Sequence, residues 1–195
     1  MDEWEMQNRG YGFLTLYKNC HPVAPNIYVY DWESDLIGVV KSGYVHEIEI
    51  KISKSDFKAD AKKKEKHEVL QTGSHEIKNV RSWLVDHWRS QGRITDDGRM
   101  IARRPNYFWY GCPEGLIEAE DVPPYSGLVH LGTGNYPKVL KPPKLLHKNH
   151  IIPLEMDSIM RSMSFKYWQV RLKETQENEE DRRILDYLLE DEWVI

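Results

Sequence analysis

The chain has 195 residues, 40% hydrophobic and 11% aromatic, which are the values of a globular protein that buries a core without disulfide staples. A net charge of −4, only two cysteines, no Asn-x-Ser/Thr acceptor and no apolar run near the ~20 residues of a membrane span exclude collagen-like, disulfide-framework and membrane-spanning classes. The start, Met1-Asp2-Glu3-Trp4-Glu5, is acidic and unlike a signal peptide, so a reducing cytoplasm is the expected compartment and no membrane partner is expected.

In chain order, residues 1–9 predict a short helix ended by Gly10, and the run from Tyr11 to Tyr17 reads as a strand. A proline-bearing loop is expected over 21–25. Residues 27–40 and 44–52 are rich in β-branched and aromatic side chains. Lys41-Ser42-Gly43 between them reads as a three-residue hairpin loop, with Gly43 at the left-handed position. Ser55 is the expected N-cap of a lysine-rich helix running to about Leu70. Residues 71–104 form an insertion that carries an amphipathic helix over 79–91 and a turn at Asp97-Gly98. Strand character returns at 106–112 and 126–132, residues 134–155 read as loop, and helices are expected over about 155–176 and 180–192.

This order predicts one mixed α/β or α+β domain over residues 1–173, followed by an acidic helical tail over 174–195. Residues 174–192 hold nine acids and two arginines, a net −7, which leaves the body at +3. Such asymmetry suits a body that meets phosphates and a tail held away from them. Ile184, Leu185, Tyr187, Leu188 and Leu189 equip the tail to pack on the body or on a protein partner.

The second strand of the hairpin spells Glu47-Ile48-Glu49-Ile50-Lys51-Ile52. Alternation puts the three isoleucines on one face and Glu47, Glu49 and Lys51 on the other. On the first strand Glu33 and Asp35 share a face. If Val40 faces Tyr44, Asp35 stands opposite Glu49, and directly opposed Cβ atoms are ~4.5–5.5 Å apart. Like charges there are destabilising unless a cation lies between them. Two carboxylates suit Mg²⁺, or Mn²⁺, whose shell is completed by water and phosphate. A neighbouring lysine can orient water or neutralise transition-state charge. The competing expectation is an edge hairpin whose polar face is merely solvated.

Asp35, then Glu49-Ile50-Lys51, then a lysine-rich helix resembles the PD-(D/E)XK nuclease superfamily. The longer runs EIEIKISKSDFKADAKKKEKH, PNYFWYGCPEGLI and VPPYSGLVHL resemble its MmcB-like branch, associated with DNA repair and found also in mobile elements. The resemblance covers roughly residues 27–70 and 105–132, and more loosely the stretch to about 170. It implies a restriction-endonuclease-like αβββαβ core, a Mg²⁺-dependent phosphodiesterase site and a DNA substrate. Carried over by position, Asp35 and Glu49 are metal ligands, the Ile50 carbonyl is a further ligand, and Lys51 is the catalytic lysine. Glu33 is a candidate additional acid, and Glu3 or Glu5 stands where many members place an acid on the first helix. Ser34 replaces the proline of the superfamily's name, and the insertion matches no part of the pattern. The alternative is a nuclease-like DNA- or protein-binding module that does not cut.

Lys54, Lys58, Lys62, Lys63 and Lys66 are the expected nucleic-acid contacts, since phosphate contacts supply most sequence-independent affinity. His67 reads as a structural histidine. His147 and His150 resemble the opening of an HNH nuclease motif, but no histidine follows His150 to complete it. Cys112 ends an aromatic strand and reads as a packed thiol. Of the consecutive aromatics Tyr107 to Tyr110, two are expected to face the core, and the other two to pack under the insertion or stack on a base.

Overall fold

The computed structural model describes residues 2–78, 80–132 and 136–174. Helix α1 (Glu3–Gly12) continues without a break into a π-helical turn, Phe13–Tyr17. The strand expected over 11–17 is therefore helical. Its buried side chains Met6, Phe13 and Leu14, with Gly10, recur at helical spacing and form one stripe. Gly10 does not end the helix. It is the point of closest approach to the sheet, where an added Cβ would lie 2.5 Å from the Leu36 side chain.

Strands β1 (Cys20–Tyr28), β2 (Glu33–Val40) and β3 (Val45–Ile50) follow. The loop expected over 21–25 is thus part of a strand. Pro22 and Pro25 are tolerated because β1 is an edge strand, with a register shift between Cys20 and Val23. The β2–β3 hairpin has the expected register: Leu36 pairs with Ile48 and Ile37 with Glu47. Its loop closes through Gly43 N to Val40 O at 2.8 Å, with Gly43 at φ +85°.

Two helices, α2 (Lys54–Asp60) and α3 (Lys64–Thr72), replace the single lysine-rich helix expected. The N-cap is Ser53, not Ser55: Ser53 Oγ accepts from Asp56 N at 3.1 Å. The insertion folds as β4 (Ser74–His75), α4 (Ser82–Ser90) and β5 (Met100–Ile101), with β4 and β5 pairing in a small sheet of their own. Strands β6 (Tyr107–Cys112), β7 (Gly127–His130) and β8 (Lys138–Lys141) complete the main sheet, and β8 lies inside the expected loop. Helix α5 runs from Pro153 to Glu174. The helix expected over 180–192 lies outside the described residues, and with it the placement of the acidic tail.

The main sheet has six strands in the order β1-β2-β3-β6-β7-β8, with β3–β6 and β6–β7 parallel and the other pairs antiparallel. One face packs Leu36, Ile48, Ile50, Trp109, Val129 and Leu131 under α1. The other face carries two separate apolar patches. Ile37, Val39 and Val45 lie with Ile159 of α5, while Phe108, Tyr110 and Leu128 lie with Leu70 of α3. The aromatic strand β6 is central and covered on both sides, so Phe108, Trp109 and Tyr110 are all buried rather than two of the four. No helix among the described residues is long and apolar enough to cross a membrane.

Candidate metal and phosphate site

The polar row of β3 stands between those two apolar patches. Glu47 pairs with Ile37 on one side and Phe108 on the other, and Glu49 pairs with Tyr110. Because β3 is central, this row is not a solvated hairpin face: Glu47, Glu49 and Lys51 are 0%, 3% and 3% exposed. Charges buried that deeply require partners. The register that pairs Leu36 with Ile48 places Asp35 opposite Glu49 one step further out, as expected.

Glu49 is the hub. Its Oε1 lies 2.9 Å from Lys51 Nζ and 3.5 Å from Lys63 Nζ, and its Oε2 lies 2.6 Å from Lys66 Nζ. Lys51 also reaches Asp56 Oδ1 at 3.4 Å. Burial pulls the Lys51 ammonium down, but the Glu49 carboxylate outweighs it and its pKa ends above the ordinary lysine value. Asp35 Oδ2 accepts from the Ile50 amide at 2.6 Å, so the described contact of Ile50 with Asp35 is through its N–H. Burial first, and then the Glu49 charge, raise Asp35 to about 6.

Three participants carry no sequence signal from the family pattern. Glu47 Oε1 accepts from Trp32 Nε1 at 2.7 Å, while its Oε2 is buried with no hydrogen-bond partner among the described residues. Burial raises Glu47 to about 7. Asp60, the last residue of α2, accepts from Tyr110 OH at 2.7 Å, and its Oδ1 lies 3.2 Å from Lys63 Nζ and 3.6 Å from Lys66 Nζ. Burial alone would raise Asp60, but the hydrogen bond from His67, the Lys66 charge and the Tyr110 hydroxyl together hold it well below the usual carboxylate range. The spacing Asp60, Lys63, His67 is helical and would have shown one face; the break at Ala61–Lys63 obscures it. Trp32 comes from the short link between β1 and β2, where no periodicity marks a side chain.

The remaining candidates fall into two groups. Lys63 and Lys66 join the cluster, but Lys66 is buried and ion-paired rather than a surface phosphate contact. Lys54, Lys58 and Lys62 are exposed. Glu33 is exposed and accepts from Tyr28 OH at 3.3 Å, so no described contact brings it to Glu49. His67 is structural, held between Tyr125 OH at 2.6 Å and Asp60 O at 2.9 Å. His147 anchors a loop through Arg104 O at 2.7 Å, and His150 packs on the Tyr44 ring. Cys112 is fully buried, and burial pushes its thiol up to about 12.

The donor set fits a hard divalent cation. It offers oxygen only, and Asp35 lacks an ammonium partner among the described ion pairs although Glu49 faces it. Among the described residues no three carboxylate, imidazole or thiol groups converge on one point. A cation here would be held by two carboxylates, with water and phosphate filling its shell, which is the habit of Mg²⁺.

No family model and no curated protein matches the chain. Among solved structures it is similar to the SPO1766 protein of unknown function from Silicibacter pomeroyi. The TM-score is 0.55 at 13% identity, covering 92% of this chain and 96% of that one. The likeness is one of fold.

Proposed function

We propose that the chain is a metal-dependent nuclease with a restriction-endonuclease-like core, cutting DNA at Asp35, Glu49 and Lys51. The observation that carries this reading is the opposition of Asp35 and Glu49 across a buried hairpin, with Lys51 two residues along the same face. Opposed carboxylates are destabilising on their own; Glu49 is offset by lysines, whereas half-buried Asp35 has no ammonium among the described ion pairs, and a bound cation would offset it.

Asp35 and Glu49 would hold Mg²⁺ or Mn²⁺, and the bound ion supplies Lewis acidity and a lowered pKa for water. Lys51, held charged by Glu49 and Asp56, would donate to a phosphoryl oxygen or orient the attacking water. Exposed Lys62 and Lys63 offer contacts to flanking phosphates. Asp60, fixed by Tyr110 and His67, holds Lys63 and Lys66 in position beside Glu49.

A second reading, a binding module that does not cut, is favoured by one observation: both Glu49 oxygens are already engaged by ammonium groups. Plasmid nicking with Mg²⁺ or Mn²⁺, wild type beside Glu49→Gln, decides between them. Metal-dependent nicking lost in Glu49→Gln is the expected result. Tight DNA binding without nicking under either ion establishes the module instead.

A further inference from the structure

A cleft of about 620 Å³ opens beside the carboxylates, lined by Trp32 and by Lys62, Lys63, Lys64 and Lys66. Two of these lysines, Lys63 and Lys66, are the ones that touch Glu49, so the cleft and the carboxylate cluster share a wall. Lys63 and Lys66 are taken up by Glu49 and Asp60, and Glu65 by Lys78 at 3.4 Å, so Lys62 and Lys64 are the lining lysines outside the described ion pairs, with Asp31 on the same wall. Lys62 and Lys64 are exposed and are the groups of this wall that a phosphate can meet.

Its aromatic wall is fixed in advance. The Trp32 indole N–H is tied to Glu47 Oε1 at 2.7 Å, its ring lies 5.5 Å from the Tyr30 ring, and Lys66 Nζ sits 5.9 Å from its centroid. A ring held this way loses little freedom when a second ring stacks on it. The volume lies within the ~300–1,000 Å³ of sites for single small ligands. A base within a duplex already has both faces stacked and must leave the helix to reach such a wall. We propose that this cleft takes an unpaired nucleotide of a single strand, its base stacked on Trp32 and its phosphates on Lys62 and Lys64. The inference rests on the nuclease reading only for the substrate's position beside the scissile phosphate; it makes single strands, frayed ends or gaps the preferred substrate class.

The test is metal-free binding of the full chain in EDTA, read by fluorescence anisotropy with three labelled probes: a short oligothymidylate, the same strand paired with oligoadenylate, and an abasic deoxyribose-phosphate oligomer of equal length. Wild type should bind the oligothymidylate about tenfold or more tighter than the abasic strand, the scale of one base–aromatic stack. It should also bind it tighter than the duplex. Trp32→Ala should erase the preference over the abasic strand while leaving abasic binding unchanged, and Trp32→Phe should keep most of it. Equal binding of oligothymidylate and abasic strand by wild type overturns the proposal, as does a duplex bound as tightly as the single strand. Should Trp32→Ala fail to fold, the wild-type comparison and Trp32→Phe decide alone. Because no metal is present, a failure here leaves metal-dependent nicking intact. A single-strand preference without nicking, conversely, removes only the nuclease reading.

Discussion

Lys66 Nζ lies 2.6 Å from Glu49 Oε2 and 3.6 Å from Asp60 Oδ1, so one buried ammonium on α3 ties the central strand to the end of α2. Three elements meet at that atom. The charge balance of the cluster is therefore also its mechanical joint.

Lys66→Met should destabilise the metal-free protein by about 3 kcal/mol, because removing one partner of a buried pair strands the other charge. Urea unfolding in EDTA measures this. Added Mg²⁺ should raise the melting temperature of Lys66→Met more than that of wild type, since a cation can then take the vacated place beside Glu49. An equal shift in both proteins contradicts a cation at Glu49.

Asp35→Asn and Lys51→Ala should each reduce metal-dependent nicking by at least ~100-fold, the scale of losing a group that acts on transition-state charge. Oligonucleotide binding in EDTA should change little in either, because affinity comes mainly from lysine contacts to phosphate. Asp35→Asn should also gain a few tenths to ~1 kcal/mol of metal-free stability at neutral pH by relieving its opposition to Glu49. Nicking at the wild-type rate by purified Asp35→Asn would remove the assignment.

Glu47 gives a pH dependence whose sign is fixed by burial. Its folded pKa is raised to about 7 from an ordinary value of 4.5. Between those values native Glu47 holds a proton that the unfolded chain has released, so its contribution to metal-free stability falls as pH rises through that window. Asp35, raised to about 6, acts in the same direction. Glu47→Gln should flatten the decline and gain about 1–3 kcal/mol over wild type at pH 8, with little difference at pH 4. His46, lowered to about 4 by burial, acts in the opposite direction over part of that window, so the check is the difference between wild-type and Glu47→Gln urea midpoints at several pH values; a difference that does not grow from pH 4.5 to 8 contradicts the assignment.

Tyr110→Phe deletes a hydroxyl that donates to Asp60 at 2.7 Å and leaves the ring's packing intact. A cost of about 1–2 kcal/mol is expected, since a hydrogen bond to a charged group is lost while His67 and the lysines still serve Asp60. Thermal melting reads it directly.

The hairpin was legible because three signals agreed: alternation of Ile48 and Ile50 with charged residues, Gly43 at the left-handed loop position, and a loop length that fixed the pairing of Leu36 with Ile48. The helix over the first residues is legible, but the run 11–17 reads as a strand because Phe13, Leu14 and Leu16 look like strand residues in isolation. Phe13 and Leu14 join the stripe begun by Met6 because Gly10 is a contact with Leu36 rather than a terminator, while Leu16 stays exposed. Strand β1 was hidden by prolines that only an edge position accommodates. In the site, Asp35, Glu49 and Lys51 could be placed by local register. Asp60 and Lys66 are divided by the break between α2 and α3, and Trp32 comes from the β1–β2 link, so no single continuous period marks all three.

The insertion leaves and rejoins the body at one place. Ala102 N donates to Gly73 O at 2.9 Å, and the Arg104 guanidinium donates to Val69 O and Leu70 O, at the end of α3, and to Leu146 O. The excursion between them contributes no buried residue from α4. Closing a loop costs only slowly more as it lengthens, so an appendage clasped at its neck can grow, shrink or be exchanged without re-registering a single strand. Relatives of this chain can accordingly differ widely in length between α3 and β6 while keeping the same sheet, and the His75 edge is the part of the cleft free to vary with them.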